Sequence, residues 1–131
     1  MKVIEFLNNA KVYYLATVDG DQPHVRPIGF VMDYKDQLVF STDARKKMCN
    51  QIKKNPKAEI SAIDENMNIL RLTGKVRFIT DTDSQAAAIN AFPLFGQMYT
   101  VGDSNFEIYT LDEIEISYTT MTGKKLDGIK L

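Results

Sequence analysis

Tryptophan is missing from this chain, cysteine and histidine occur once each, and proline only four times. The lone cysteine, Cys49, excludes an internal disulfide, and with one histidine, His24, no Cys/His spacing suggests zinc. Charge of one sign is lacking too. The formal net charge is −1, so nothing argues for general nucleic-acid binding through phosphates. No apolar run approaches the roughly 20 residues that span a bilayer. The opening stretch Met1–Ala10 is interrupted by Glu5, Asn8 and Asn9, and it lacks the apolar region and small-residue cleavage site of a signal peptide. The expectation is a cytoplasmic protein with no membrane and no nucleic-acid partner.

What is present is ordinary for one globular domain. The chain has 131 residues, 44% hydrophobic and 25% charged, a size that buries roughly two thirds of its unfolded surface. No repeat, linker or low-complexity segment divides it, so residues 1–131 are read as a single domain.

Val3, Phe6, Leu7 and Ala10 fall on one helical stripe and predict a short amphipathic helix over 3–10. Lys11–Val18 reads as a strand, and Asp19-Gly20-Asp21 as the hairpin turn that follows. The next strand, His24–Asp33, contains Pro27 and Gly29. Proline cannot donate to a ladder, which places this strand at an edge or gives it a bulge. Asp33–Asp36 predicts a turn and Gln37–Ser41 a third strand. A helix is expected over Ala44–Asn55, with Ala44, Met48, Cys49 and Ile52 buried and Asn55-Pro56 ending it. Ala58–Ile63 and Asn68–Thr80 read as a hairpin, the second strand bent at Gly74. A third helix spans Asp83–Phe92, capped by Thr82 or Asp83. Phe106–Tyr109 and Glu113–Thr119 read as two closing strands, and the tail from Thr122 as irregular. Six or seven strands joined by short turns, with a few outer helices, predict a mainly β, antiparallel barrel.

Chemistry concentrates in two places. Arg45, Lys46 and Lys47 fall in the first turn of the expected second helix, where cations are disfavoured by roughly 0.3–1 kcal/mol each, and Asp43 offsets one of them. Either the run is solvated, or free backbone N–H groups and cations together hold a dianionic phosphate, with the Ser41 and Thr42 hydroxyls beside them. Arg26 sits mid-strand in a segment suited to burial, and a buried guanidinium needs an anion. That anion is either an acidic side chain or a ligand. Pro27 and Gly29 flank Ile28 with little bulk, so a flat ring fits close to that backbone.

Other residues carry weaker signals. His24 shares Arg26's strand face and is either a general acid or a half-exposed structural histidine. Cys49 reads as packing. Phe92, Phe95, Met98 and Tyr99 cluster around Pro93 and Gly96 as a lid, a dimer contact or ordinary core.

Tyr14-Leu-Ala-Thr, Asp19-Gly20, Pro23-His-Val-Arg-Pro27, Val39-Phe-Ser-Thr42, Lys46-Lys47, Gln51-Ile52, Asn55-Pro56 and Thr73-Gly-Lys-Val76, in this order and spacing, resemble the pyridoxamine 5′-phosphate oxidase-like flavoproteins. Glu113–Thr119 with Thr122-Gly123 extend the likeness over nearly the whole chain, nearest to the short nitroimidazole-resistance-type members. The resemblance implies a split barrel that binds FMN at a homodimer interface. It implies Arg26, Pro27, Ile28 and Gly29 along the flavin, Ser41 and Thr42 on ring or ribityl oxygens, and Lys46 and Lys47 on the phosphate. Residues near Leu70–Leu72, and Tyr118, would come from the facing subunit. The implied activity is electron transfer from a nicotinamide or other reductant to a small planar acceptor. The alternative is a dimer that stores or senses FMN without turnover. The chain departs from the true oxidases by lacking their tryptophan and their basic C-terminal pattern for pyridoxal phosphate, which tells against vitamin B6 oxidation.

Overall fold

A computed structural model describes all residues, Met1–Leu131. The elements in chain order are α1 (Val3–Ala10), β1 (Tyr13–Asp19), β2 (Gln22–Ile28), β3 (Met32–Tyr34), β4 (Gln37–Asp43), α2 (Lys47–Lys54), β5 (Lys57–Ile63), β6 (Ile69–Phe78), α3 (Thr82–Ala91), a 3-10 turn at Pro93–Gln97, and β7 (Phe106–Thr119). The seven strands form one antiparallel sheet in the order β2-β1-β5-β6-β7-β4-β3. The sheet curls without closing, so it is a split barrel. β2 occupies one free edge, where Pro23 and Pro27 leave no central ladder short of a donor.

Strand alternation builds the interior. Tyr13 and Leu15 of β1, Ala58, Ile60 and Ala62 of β5, and Leu70 and Leu72 of β6 point inward, and Val3, Phe6 and Leu7 of α1 pack with them. A second, smaller core lies across β4 and β7. There Val39, Phe106 and Ile108 meet Met32, Ala88 of α3 and Phe95 of the 3-10 turn. This half of the sheet is covered on both faces.

The last strand differs from expectation. Phe106–Tyr109 and Glu113–Thr119 belong to one continuous strand rather than two. Between Thr73 and Lys75 β6 advances two residues while β7 advances three, from Glu115 to Asp112. The extra residue is a β-bulge, with Glu113 at φ +54°. It flips the inward set from Tyr109 and Leu111 to Ile114 and Tyr118. The broken hydrophobic alternation that suggested two strands is therefore this bulge. Conversely, His24–Asp33 divides into β2 and β3, and Tyr13 donates its hydroxyl to the Phe30 carbonyl in the intervening bend. α3 starts one residue early, and its cap is Asp81, which accepts from the Ser84 N–H at 2.6 Å.

Gly74 sits opposite the bulge for a packing reason. A Cβ there would stand 2.9 Å from the Asp112 carbonyl oxygen and 3.3 Å from Leu111 Cβ. Gly74→Ala should therefore destabilise the fold by about 1–3 kcal/mol, measured by urea unfolding. At the open turn residue Gly20 a Cβ would meet nothing within 4 Å, but the backbone holds a φ of +62°. Gly20→Ala thus tests backbone strain alone.

Candidate functional site

Arg26 is the pivot. In the β1–β2 register it lies opposite Leu15, and its side chain crosses β1 on the inner face. Nη1 donates to Thr17 Oγ1 at 2.9 Å and to the Leu15 carbonyl at 3.3 Å, and Nη2 donates to Gln51 Oε1 at 3.1 Å. Thr17 also donates to Gln51 Oε1, at 2.8 Å. Every acceptor in this network is neutral. The ion pairs of the chain use Arg45, Lys53, Arg71, Lys75 and Arg77, and none uses Arg26. The guanidinium is half-buried, and its desolvation pulls its pKa below the ordinary arginine value. A positioned cation without a protein counter-charge is thus a feature of the fold.

Gln51 connects Arg26 to the second helix. Lys47, Asn50, Gln51 and Lys54 stand at helical spacing on one face of α2 and line a small pocket of about 130 Å³ with Asp19. The helix begins three residues later than expected, at Lys47, with Lys46 as an N-cap whose side chain does not cap it. No acidic residue occupies the first turn, so the positive end of the helix dipole has no acidic side chain within its own helix. Lys46 and Lys47 are both exposed and make no ion pair.

Arg45 does not belong with them. It precedes the helix and is gripped by Asp43, with Nε to Oδ1 at 2.9 Å, Nη2 to Oδ2 at 2.7 Å and the backbone N–H to Oδ1 at 2.9 Å. The Tyr99 hydroxyl gives Asp43 a further bond at 2.7 Å. Asp43 is only 6% exposed, and these donors, Arg45 first, hold its carboxyl well below the usual range. Desolvation and the same carboxylate push the Tyr99 phenol up to about 12.

Ser41 and Thr42 precede Asp43 on β4 and, as strand neighbours, point to opposite faces. Ser41, Thr42 and Lys46 line a cleft of about 410 Å³ with Asp43, Arg45, Phe95, Met98, Tyr99 and Phe106. Thr42 shares its strand face with Phe40, which pairs with Tyr109. The Thr42 and Tyr109 hydroxyls are both buried with no hydrogen-bond partner, at a cost of about 1–3 kcal/mol each. Tyr109 also lies within electrostatic reach of Arg26. Two buried hydroxyls without a partner, Thr42 on β4 and Tyr109 on β7, thus lie on adjacent strands.

The expected residues thus gather into two groups that meet at the start of α2: Arg26 with Lys47, through Gln51, and Ser41 and Thr42 with Lys46. Pro27 and Gly29 are exposed along the edge strand, and Ile28 is half-buried. Leu72 requires correction. Its side chain is 0% exposed within the main core, because inward positions on β6 are the even ones. Outward presentation there falls to Arg71 and Thr73. Tyr118 packs edge-on against Phe6, with ring centroids 5.8 Å apart, and serves the core. Thr17 and Gln51 were not expected as partners of Arg26, nor Tyr99 as a partner of Asp43. The first two were detectable in principle, since Thr17 follows the inward Leu15 by two and Gln51 follows Lys47 by one helical turn.

The sequence matches the family model described as pyridoxamine 5′-phosphate oxidase over residues 2–112. The chain belongs to that family. A NimC/NimA family protein from Clostridium acetobutylicum is 35% identical with a TM-score of 0.87, the alignment covering 94% of this chain and 86% of that one. A pyridoxamine 5′-phosphate oxidase-related, FMN binding protein from Nostoc punctiforme is 25% identical, with a TM-score of 0.66 and coverage of 88% and 78%. An F420 reductase shares the fold at 21% identity and a TM-score of 0.65, with coverage of 86% and 94%. No curated protein matches the sequence. No helix is long and apolar enough to cross a membrane.

Asp43 supplies a pH test. Its depressed pKa makes its contribution complete above about pH 5; the contribution declines as pH falls below about 4 and is gone only once pH passes through the depressed folded value. Tyr99 behaves oppositely: its raised value favours the neutral phenol, so its contribution is complete below about pH 10 and lost as pH rises through about 12. Asp43→Asn should cost about 1–3 kcal/mol at pH 7, and the gap to wild type should be unchanged at pH 5 and narrower at pH 3. Urea titrations at pH 7, 5 and 3 measure it.

Proposed function

We propose that this protein is an FMN-binding oxidoreductase that acts as a homodimer. The observation that carries the reading is Arg26, fixed by neutral acceptors and left without a protein counter-charge. A phosphate monoester meets that need, and the uncapped start of α2 with Lys46 and Lys47 adds donors of the same kind. The orphaned Thr42 hydroxyl fits a ligand rich in polar oxygens. Arg26, Lys46 and Lys47 would hold the phosphate end. Ser41 and Thr42 would meet ribityl or ring oxygens, and the exposed backbone of Pro27, Ile28 and Gly29 would lie along the ring. The 25%-identical Nostoc relative, described as FMN binding, supports the choice of cofactor.

When bound, FMN supplies the redox chemistry, accepting electrons from a nicotinamide or another reductant and passing them to a small planar acceptor. The chain's own contribution is binding and orientation. Thr17 and Gln51 immobilise Arg26, and Asp43 immobilises the loop that precedes α2. The dimer is supported by the outer sheet face. Tyr14 and Val25 there are 49% and 69% exposed, and the register sets them beside Ala16, Pro23 and Pro27. An apolar sheet face of this kind is expected to be covered. A solution mass of one chain would remove the dimer from this reading.

The protein as purified should be yellow, with a flavin spectrum, and anaerobic NADH or NADPH should bleach it on a catalytic timescale. A yellow protein that neither nicotinamide reduces would favour a storage or sensing module. Lys46→Ala/Lys47→Ala should lower flavin occupancy by at least about tenfold with an unchanged circular dichroism spectrum. Full occupancy in the double variant would refute the phosphate assignment.

A further inference from the structure

Tyr13, Leu15 and Thr17 are the buried side chains of β1, and the first and last of them carry hydroxyls. Thr17 is committed to Arg26. Tyr13 sits at the other end of the β1–β2 register, opposite Ile28. Its side chain is 1% exposed, and its ring meets Phe40 edge-on with centroids 5.9 Å apart. A phenol buried in this way needs an acceptor inside the fold. It donates to the carbonyl of Phe30.

That carbonyl lies in the bend that joins β2 to β3, residues 29–31. The β1–β2 ladder ends at Ile28. None of the backbone hydrogen bonds made in turns and loops falls on Gly29, Phe30 or Val31. The backbone just beyond the residues assigned to the flavin ring therefore hangs on one hydroxyl. The Phe30 ring packs against Phe95 and Phe92, with centroids 4.9 Å and 6.2 Å apart, which seats the side chain and leaves the carbonyl to Tyr13. Burial pushes the Tyr13 phenol above the ordinary tyrosine range, so it stays a neutral donor. β1 thus holds the segment from Arg26 to Phe30 at both ends, the guanidinium through Thr17 and the bend through Tyr13.

We propose that Tyr13 is a positioning residue for the flavin ring. By tethering the Phe30 carbonyl it fixes the direction in which the Pro27–Gly29 backbone leaves the edge strand, and with it the surface on which the ring lies. Tyr13 acts from inside the core, through the backbone. Without the tether the bend must be ordered when the ring binds, and that cost comes out of the ring's share of the affinity. This assignment rests on the flavoprotein reading above and divides its work: Arg26, Lys46 and Lys47 hold the phosphate, and Tyr13 sets the seat of the ring.

Tyr13→Phe removes the hydroxyl and keeps the buried ring. Flavin-free wild type and variant are titrated with riboflavin and with FMN, and the visible circular dichroism of the bound flavin is recorded. Both dissociation constants should rise by about fivefold, the value of one ordinary hydrogen bond, so the ratio between the two flavins stays the same. The visible bands should weaken, because the ring is held less uniquely. A loss of stability alone moves neither reading while the protein remains folded. An unchanged riboflavin affinity, a loss confined to FMN, or a variant that fails to fold would overturn the proposal. In the last case the hydroxyl serves stability. A wild type that binds neither flavin would instead sink the flavoprotein reading itself, and the titration of wild type alone shows that.

Discussion

A guanidinium held in place by three neutral acceptors is the constraint around which the rest of this molecule is arranged. Arg26 is expensive to keep half-buried, and Thr17 and Gln51 do not neutralise it. They orient it. Each of those partners comes from a different element, so β1, β2 and α2 must be packed together before the arginine is in place. The positive charge is built by the tertiary structure and is not a property of any one segment.

The two cores serve this arrangement in different ways. The main core fills the curled sheet and seats α1 and α2, with Met48 and Ile52 of α2 buried in it. The smaller core fastens α3 and the 3-10 turn to the outside of β4 and β7. The β7 bulge lets one long strand serve the sheet over its full length while its inward set changes parity. The result is a loop, Asp43–Lys46, clamped from below by β4 and from the side by Tyr99, with a helix start immediately after it. Rigid placement of cations by hydrogen-bonded neighbours is how a binding site lowers the entropic cost of ordering its own side chains.

Much of the fold was legible in the residues. Alternation located the strands, Pro27 marked the sheet edge, and Gly74 marked an irregularity, although the extra residue lies on the partner strand at Glu113. Of the residues singled out for the site, Ser41, Thr42, Lys46 and Lys47 lie at the end of β4 and the start of α2, and Arg26 reaches α2 at Gln51. Pairing was not legible. Asp43 was expected to offset one of the three cations, but nothing in the spacing shows that this one is Arg45, or that Asp43 is buried and also bonded to Tyr99, 56 residues away. Leu72 was assigned to a ligand through its neighbourhood, but the parity of β6 turns it into the core. Side-chain direction on a bulged sheet depends on register, and register is a long-range property.

If Arg26 is held ready for a phosphate, the affinity of flavin-free protein for FMN against riboflavin, which carries the same ring without the phosphate, reads it most directly. Wild type should bind FMN more tightly by about 100-fold or more, and Arg26→Ala should lose at least about tenfold of that difference while binding riboflavin as before. Equal affinities for the two flavins in wild type, or an undiminished preference for FMN without Arg26, would contradict it.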